Sequence, residues 1–102
     1  MANPLLGGIR PVHPGEVLRE DVLPALGKPK AEIARLLGVS RQTLYDLLAE
    51  RQPVTTRMGL RLGRLLGNGP DIWLRMQQNY DVAVESAAMR DELEAIPLLA
   101  AA

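Results

Sequence analysis

Apolar residues recur along this chain at intervals of three and four, the period of helices packed on one side. The clearest run is residues 29–49, PKAEIARLLGVSRQTLYDLLA, in which Ile33, Ala34, Leu37, Val39, Leu44 and Leu47 supply the apolar positions. The pattern predicts one helix over 30–37, a turn at Gly38 and another helix over 41–49 with Ser40 as its N-cap. Glycine adopts the left-handed turn conformation without a Cβ clash, and serine accepts a hydrogen bond from the first free backbone N–H groups. Ala34 sits where the two helices cross closely.

The same spacing places three further helices. His13-Pro14-Gly15-Glu16 opens the first, with Pro14 at the first helical position and Glu16 at the positive helix end. Val17, Leu18 and Val22 continue it, and Pro24 is expected to stop it near Asp21 or Val22. After a loop at Gln52-Pro53-Val54, Thr55 caps a fourth helix over 56–66, which Gly67-Asn68-Gly69 ends. Pro70 and Asp71 begin a fifth, whose stripe of Ile72, Trp73, Met76, Tyr80, Val84 and Ala88 is long for one small core. Residues 1–12 are expected to be a flexible lead-in, 13–88 the folded domain and 89–102 a tail, frayed from Ala95 on.

Composition agrees with an all-α domain. The chain has 102 residues and 47% hydrophobic residues but no Phe, so its core must come from Leu, Ile, Val, Ala and Met. Cysteine is absent, which excludes disulfides and thiolate metal sites. Leu5, Leu6 and Ile9 are interrupted by Gly7 and Gly8 and make too short a run for a signal peptide. No window approaches a membrane span, so a cytoplasmic location is expected, with no membrane contact.

Charge changes the picture more. The net charge is zero, yet residues 28–64 hold eight basic side chains (Lys28, Lys30, Arg35, Arg41, Arg51, Arg57, Arg61, Arg64) against Glu32, Asp46 and Glu50. Residues 65–102 hold Arg75 and Arg90 against six acids. A basic middle suits phosphates, and an acidic end suits a basic protein partner or solubility.

The helix over 41–49 is therefore a candidate major-groove reader, buried on one side with amide, hydroxyl and guanidinium groups on the other. Ser40, Arg41, Gln42, Thr43, Tyr45 and Asp46 are the candidate base-reading residues. Arg41 suits guanine O6 and N7, and Gln42 suits adenine N6 and N7. Asp46 would have to accept from cytosine or orient an arginine. Lys30, Arg51, Thr55, Thr56 and Arg57 are candidates for phosphate. The competing reading is an ordinary αα-hairpin whose polar face meets water; the flanking helices and the local excess of bases favour DNA.

Tyr80, Val84 and Ala88 are candidates for a two-fold dimer contact. A dimer would set two recognition helices about 34 Å apart, on successive major grooves of a palindromic operator. Enzyme chemistry is not expected, nor any cofactor or metal. The sole histidine, His13, reads as part of a helix start, and neither a glycine-rich phosphate loop nor metal-ligand spacing is present.

The segments HPGEVLREDVLP, AEIARLLGVSRQTLYDLL, QPVT, LRLGRLLG and IWLRMQQNYDV occur in this order over residues 12–85. In these the chain resembles the HigA-type antitoxins of the Xre-like helix-turn-helix family. His13-Pro14-Gly15-Glu16 and the run Trp73, Gln77, Tyr80, Asp81 are the most specific parts of the likeness. The resemblance implies a five-helix, lambda-repressor-like helix-turn-helix domain with a C-terminal dimerisation helix. It also implies a homodimer that represses its own operon at double-stranded operator DNA. A HigB-type toxin, a ribosome-dependent mRNA endonuclease of RelE-like fold, would be neutralised by direct binding. Residues 1–12 and 81–94 are candidate toxin surfaces. A solitary Xre-like repressor without a toxin is the alternative.

The chain departs from the family pattern at four places. Pro29 stands where Ser or Thr usually caps the second helix. Glu50 stands where Gly is usual, and a left-handed conformation there costs roughly 1–2 kcal/mol, which predicts a different path for the loop. Thr56 and Arg57 replace Pro and Glu, adding positive charge. Gly59 replaces Ala at roughly 1 kcal/mol of helix propensity unless close packing requires it.

Overall fold

A computed structural model describes residues 10–99, and among these the regular structure is entirely helical. The part of the expected lead-in at 1–9 lies outside the described residues, as does the end of the tail at 100–102.

Helix α1 (Pro14–Val17) starts as its sequence predicts, with Pro14 in the first turn. The expected stop at Asp21 or Val22 is wrong. The chain widens into a π-helical turn (Leu18–Val22) and carries on as α2 (Leu23–Leu26), ending at Gly27 with φ 66°. Proline has no N–H to donate and its ring presses on the carbonyl four residues back. The wider turn, in which the Leu23 N–H reaches the Leu18 carbonyl, shifts the ladder by one residue and lets Pro24 pass.

Helices α3 (Lys30–Leu37) and α4 (Arg41–Leu48) form the helix-turn-helix. Pro29 caps α3 without a side-chain hydrogen bond, but its carbonyl accepts from the Glu32 and Ile33 N–H groups. Gly38 turns the chain at φ 75°, and the Val39 N–H closes back on the Ala34 carbonyl at 3.0 Å. Helix α5 (Thr56–Leu66) follows with Thr55 as cap, then α6 (Asp71–Ala88). A last short helix, α7 (Arg90–Ala95), lies in the segment expected to be tail and buries none of its residues.

The core joins these helices through Leu18, Leu23, Ile33, Ala34, Leu37, Leu44, Leu47, Leu48, Val54, Met58, Leu62 and Trp73. Two glycines set how closely they approach. A Cβ on Gly15 would run into the Leu47 carbonyl oxygen, so α1 can lie on α4 only through glycine. A Cβ on Gly59 would meet Leu74 Cδ2 at 2.8 Å, so with glycine there α5 lies close to α6 without moving that side chain. From Asp81 on, α6 leaves the body with every residue exposed, and the molecule measures 54 × 28 × 23 Å.

Candidate nucleic-acid interface

Helix α4 is held by three leucines, Leu44 and Leu47 fully buried and Leu48 nearly so. At about 100° per residue, this fixes which side chains remain outside. Arg41, Gln42 and Tyr45 are exposed, and Thr43 and Asp46 are half-buried at the edge. Ser40 is the N-cap: its Oγ accepts from the Thr43 N–H at 3.0 Å and lies 2.8 Å from Thr43 Oγ1. Its hydroxyl therefore sets the start of the helix.

Asp46 organises the rest of this face. Its Oδ1 accepts from Gln42 Nε2 at 2.9 Å and from the Arg51 guanidinium at 2.7 and 3.2 Å. The hydrogen bonds from Arg51 and then Gln42 hold the carboxyl below its ordinary range. Of the two roles expected for Asp46, orienting an arginine is the one the geometry displays. Arg51 thereby joins the α4 face instead of pointing away as an isolated charge.

The loop from α4 to α5 is fixed at both ends. Gln52 Nε2 donates to the Thr43 carbonyl at 3.3 Å, and the Val54 N–H donates to Gln77 Oε1 at 2.8 Å. Gln77 is buried on α6 and passes the connection on, donating from Nε2 to Asp81 at 2.9 Å. Thr55 Oγ1 accepts from the Met58 N–H as the α5 cap, which leaves Thr56 and Arg57 exposed beside it.

Lys30, Arg41 and Arg57 lie in the first turns of α3, α4 and α5, exposed and without a hydrogen bond or ion pair among the described residues. A cation in a helix's first turn opposes the macrodipole, so three of them concentrate positive potential instead of stabilising the helices. Of the other bases of the middle segment, all but Arg64 are engaged. Lys28 and Arg35 approach Glu32, and Arg61 donates to the Leu37 carbonyl at 2.7 Å, closing the end of α3.

The loop after α4 does not take another path: Glu50 adopts the left-handed conformation at φ 63°, alone among the described non-glycine residues. Arg19 accounts for this. Its guanidinium donates to the Leu48 carbonyl at 2.6 Å and to the Glu50 carboxylate at 3.3 Å, holding the turn from the π-helical segment.

Tyr80 is half-buried, its ring edge-on to His13 with centroids 4.9 Å apart, so one side of it belongs to the domain's own packing. Val84 and Ala88 are exposed. His13 is buried, and its Nδ1 accepts from the Gly15 N–H at 2.9 Å, the helix-start role expected of it. Arg19, Gln52, Arg61 and Gln77 carry no local signal as anchors, because the loop and helix-end groups they hold lie 9 to 31 residues away.

Known proteins resemble this chain in sequence and fold. Antitoxin HigA-1 of Vibrio cholerae is 33% identical over 73 residues, 72% of this chain and 69% of that protein. The antitoxin GraA superposes with a TM-score of 0.83 at 38% identity, over 90% of this chain and all of GraA. The chain belongs to the HigA antitoxin family. A Pseudomonas aeruginosa HigA solved with the higBA promoter matches at TM-score 0.81 and 36% identity, over 88% of this chain and all of that one. Virulence-associated protein I of Dichelobacter nodosus is 37% identical over 71 residues, 70% of this chain and 66% of that protein. This chain thus matches about two thirds of the length of such curated relatives. No family model matches the chain. No helix among the described residues is long and apolar enough to cross a membrane.

Proposed function

We propose that this chain, as a homodimer, binds operator DNA of its own operon through α4 and neutralises a HigB-type toxin by direct binding. The observation that carries the DNA half is the outward face of α4. Arg41 is exposed with no partner among the described residues, and Gln42 and Arg51 are set in place by Asp46. Preset side chains lose less conformational freedom on meeting base edges. Lys30, Thr56 and Arg57 are placed to hold phosphates at the starts of α3 and α5. GraA has also been solved with its operator, and superposes over 99% of each chain at a TM-score of 0.85.

The dimer would form through Val84, Ala88 and the free side of Tyr80, on the arm of α6 that leaves the body. It would place the two α4 helices about 34 Å apart on a palindrome. Full affinity of a monomer for one half-site would overturn this. The toxin surface would include the acidic residues Asp81, Glu85, Asp91, Glu92 and Glu94, all exposed.

A second reading, a solitary repressor, is favoured by one relative. The HTH-type transcriptional regulator YbaQ of Escherichia coli is 31% identical over 85 residues, 83% of this chain. Co-expression with a small basic reading frame beside the gene separates the two. The antitoxin reading expects a stable complex and loss of the partner's RNA cleavage. Absence of any such frame, or no complex with it, leaves the repressor.

A further inference from the structure

The helices α3 and α5 enclose a groove of about 550 Å³ lined by Leu36, Leu37, Leu60, Arg61, Arg64 and Leu65. Leu36 and Leu60 are 42% and 54% exposed, and Arg64 has no partner among the described residues. No acidic side chain lines it. The groove is apolar at its floor and positive at its rim.

The opposite chemistry stands at the other end of the chain. Residues 90–99 carry Asp91, Glu92 and Glu94, and their apolar side chains have nothing over them. Leu93 is 44% exposed, Ile96 63%, Leu98 94% and Leu99 86%. Four large apolar side chains within seven residues are exposed together, and clustered exposed apolar groups mark interaction surfaces more often than isolated ones do.

We infer that the segment 90–99 of one copy docks in the α3–α5 groove of a second copy. Carboxylates of the segment meet Arg64 and the free nitrogens of Arg61, while its leucines and Ile96 cover Leu36, Leu60 and Leu65. The occupant is a second copy because the chain's own segment is held away. Helix α5 packs on α6 at Leu74, and α7 begins sixteen residues later, about 24 Å along the helix. The inference is independent of operator binding and of the α6 contact proposed above. It shares Asp91, Glu92 and Glu94 with the proposed toxin surface, so toxin and second copy would compete for them.

The absence of cysteine permits a direct test in the full-length chain. A copy carrying Leu60→Cys is mixed under mild oxidation with a differently tagged copy carrying Leu93→Cys; both positions are exposed. The expected result is a disulfide-linked hetero-pair, at least tenfold above that formed by Ala31→Cys with Leu93→Cys. Arg64→Glu in the Leu60→Cys copy should cut the yield at least fivefold, and reversing Asp91, Glu92 and Glu94 to Lys in the Leu93→Cys copy should restore it. No excess over the Ala31→Cys control overturns the inference. So does efficient linkage within a single chain carrying both cysteines, which would make the segment its own lid. Sedimentation keeps the two contacts apart. If Val84→Asp abolishes self-association while deletion of residues 90–102 leaves it unchanged, the α6 dimer stands and this docking falls.

Discussion

Arg19 and Glu50, 31 residues apart in sequence, lie 3.3 Å apart across the end of the recognition helix. The same guanidinium donates to the Leu48 carbonyl at 2.6 Å, so it holds both the last turn of α4 and the left-handed residue after it. With 38% of its side chain exposed, Arg19 is partly screened, so its loss should lower stability modestly. Arg19→Ala is expected to lower the urea midpoint accordingly. Combining it with Glu50→Gly should recover part of the loss, since glycine removes the strain that Arg19 offsets. A double variant no more stable than Arg19→Ala alone would contradict this role.

Two glycine-to-alanine changes should behave oppositely. At Gly15 the new methyl meets the Leu47 carbonyl, and backbone cannot rotate away. Gly15→Ala is expected to destabilise by at least about 2 kcal/mol. At Gly59 the nearest atoms belong to the Leu74 side chain, which can turn, and alanine regains about 1 kcal/mol of helix propensity. Gly59→Ala should therefore change stability by less than about 1 kcal/mol. Equal losses at the two positions would show that α1 has another way to seat on α4.

His13 gives the fold a mild acid sensitivity. Burial pushes its pKa below the ordinary 6.5, while the Glu50 and Asp81 carboxylates act in the opposite direction. The unfolded chain then binds the proton more readily than the folded one. The contribution is complete above about pH 6.5 and is lost as pH falls through the depressed folded value. Protonation at Nδ1 would also abolish the acceptor for the Gly15 N–H. Thermal melts from pH 8 to 5 should show this decline in the wild type and a flatter profile in His13→Asn, which keeps an acceptor without titrating there. Rising stability on acidification would contradict it.

Local signals carried most of the fold. Gly38, Ser40, Thr55 and Gly67 mark helix ends because their effect depends on their own backbone and the adjacent turn. Pro24 misled for the same local reason: it forbids an α-helical ladder, but the π-turn at Leu18–Val22 is a way around it that only packing selects. Glu50 was expected to redirect its loop because Arg19, its tertiary partner, leaves no trace in the neighbouring sequence. On α4, periodicity separates the buried Leu44 and Leu47 from Arg41, Gln42, Thr43, Tyr45 and Asp46, though not Leu48, which the structure also buries. It did not show that Gln42 and Arg51 share one carboxylate. Helix α7 leaves no signal in the sequence because, burying none of its residues, it has no apolar stripe of its own.

Arg41 and Gln42 are the residues through which α4 is proposed to read base sequence. The most direct measurement is the affinity of wild type, Arg41→Ala and Gln42→Ala for the chain's own promoter fragment and for a scrambled fragment, at one fixed salt concentration. A bidentate base contact is worth about 1–3 kcal/mol, or roughly 5- to 150-fold in affinity. Each variant is expected to lose binding to the promoter on that scale, and Gln42→Ala should bind the scrambled fragment as the wild type does. If both variants keep wild-type affinity and wild-type preference for the promoter, α4 does not read the operator through this face.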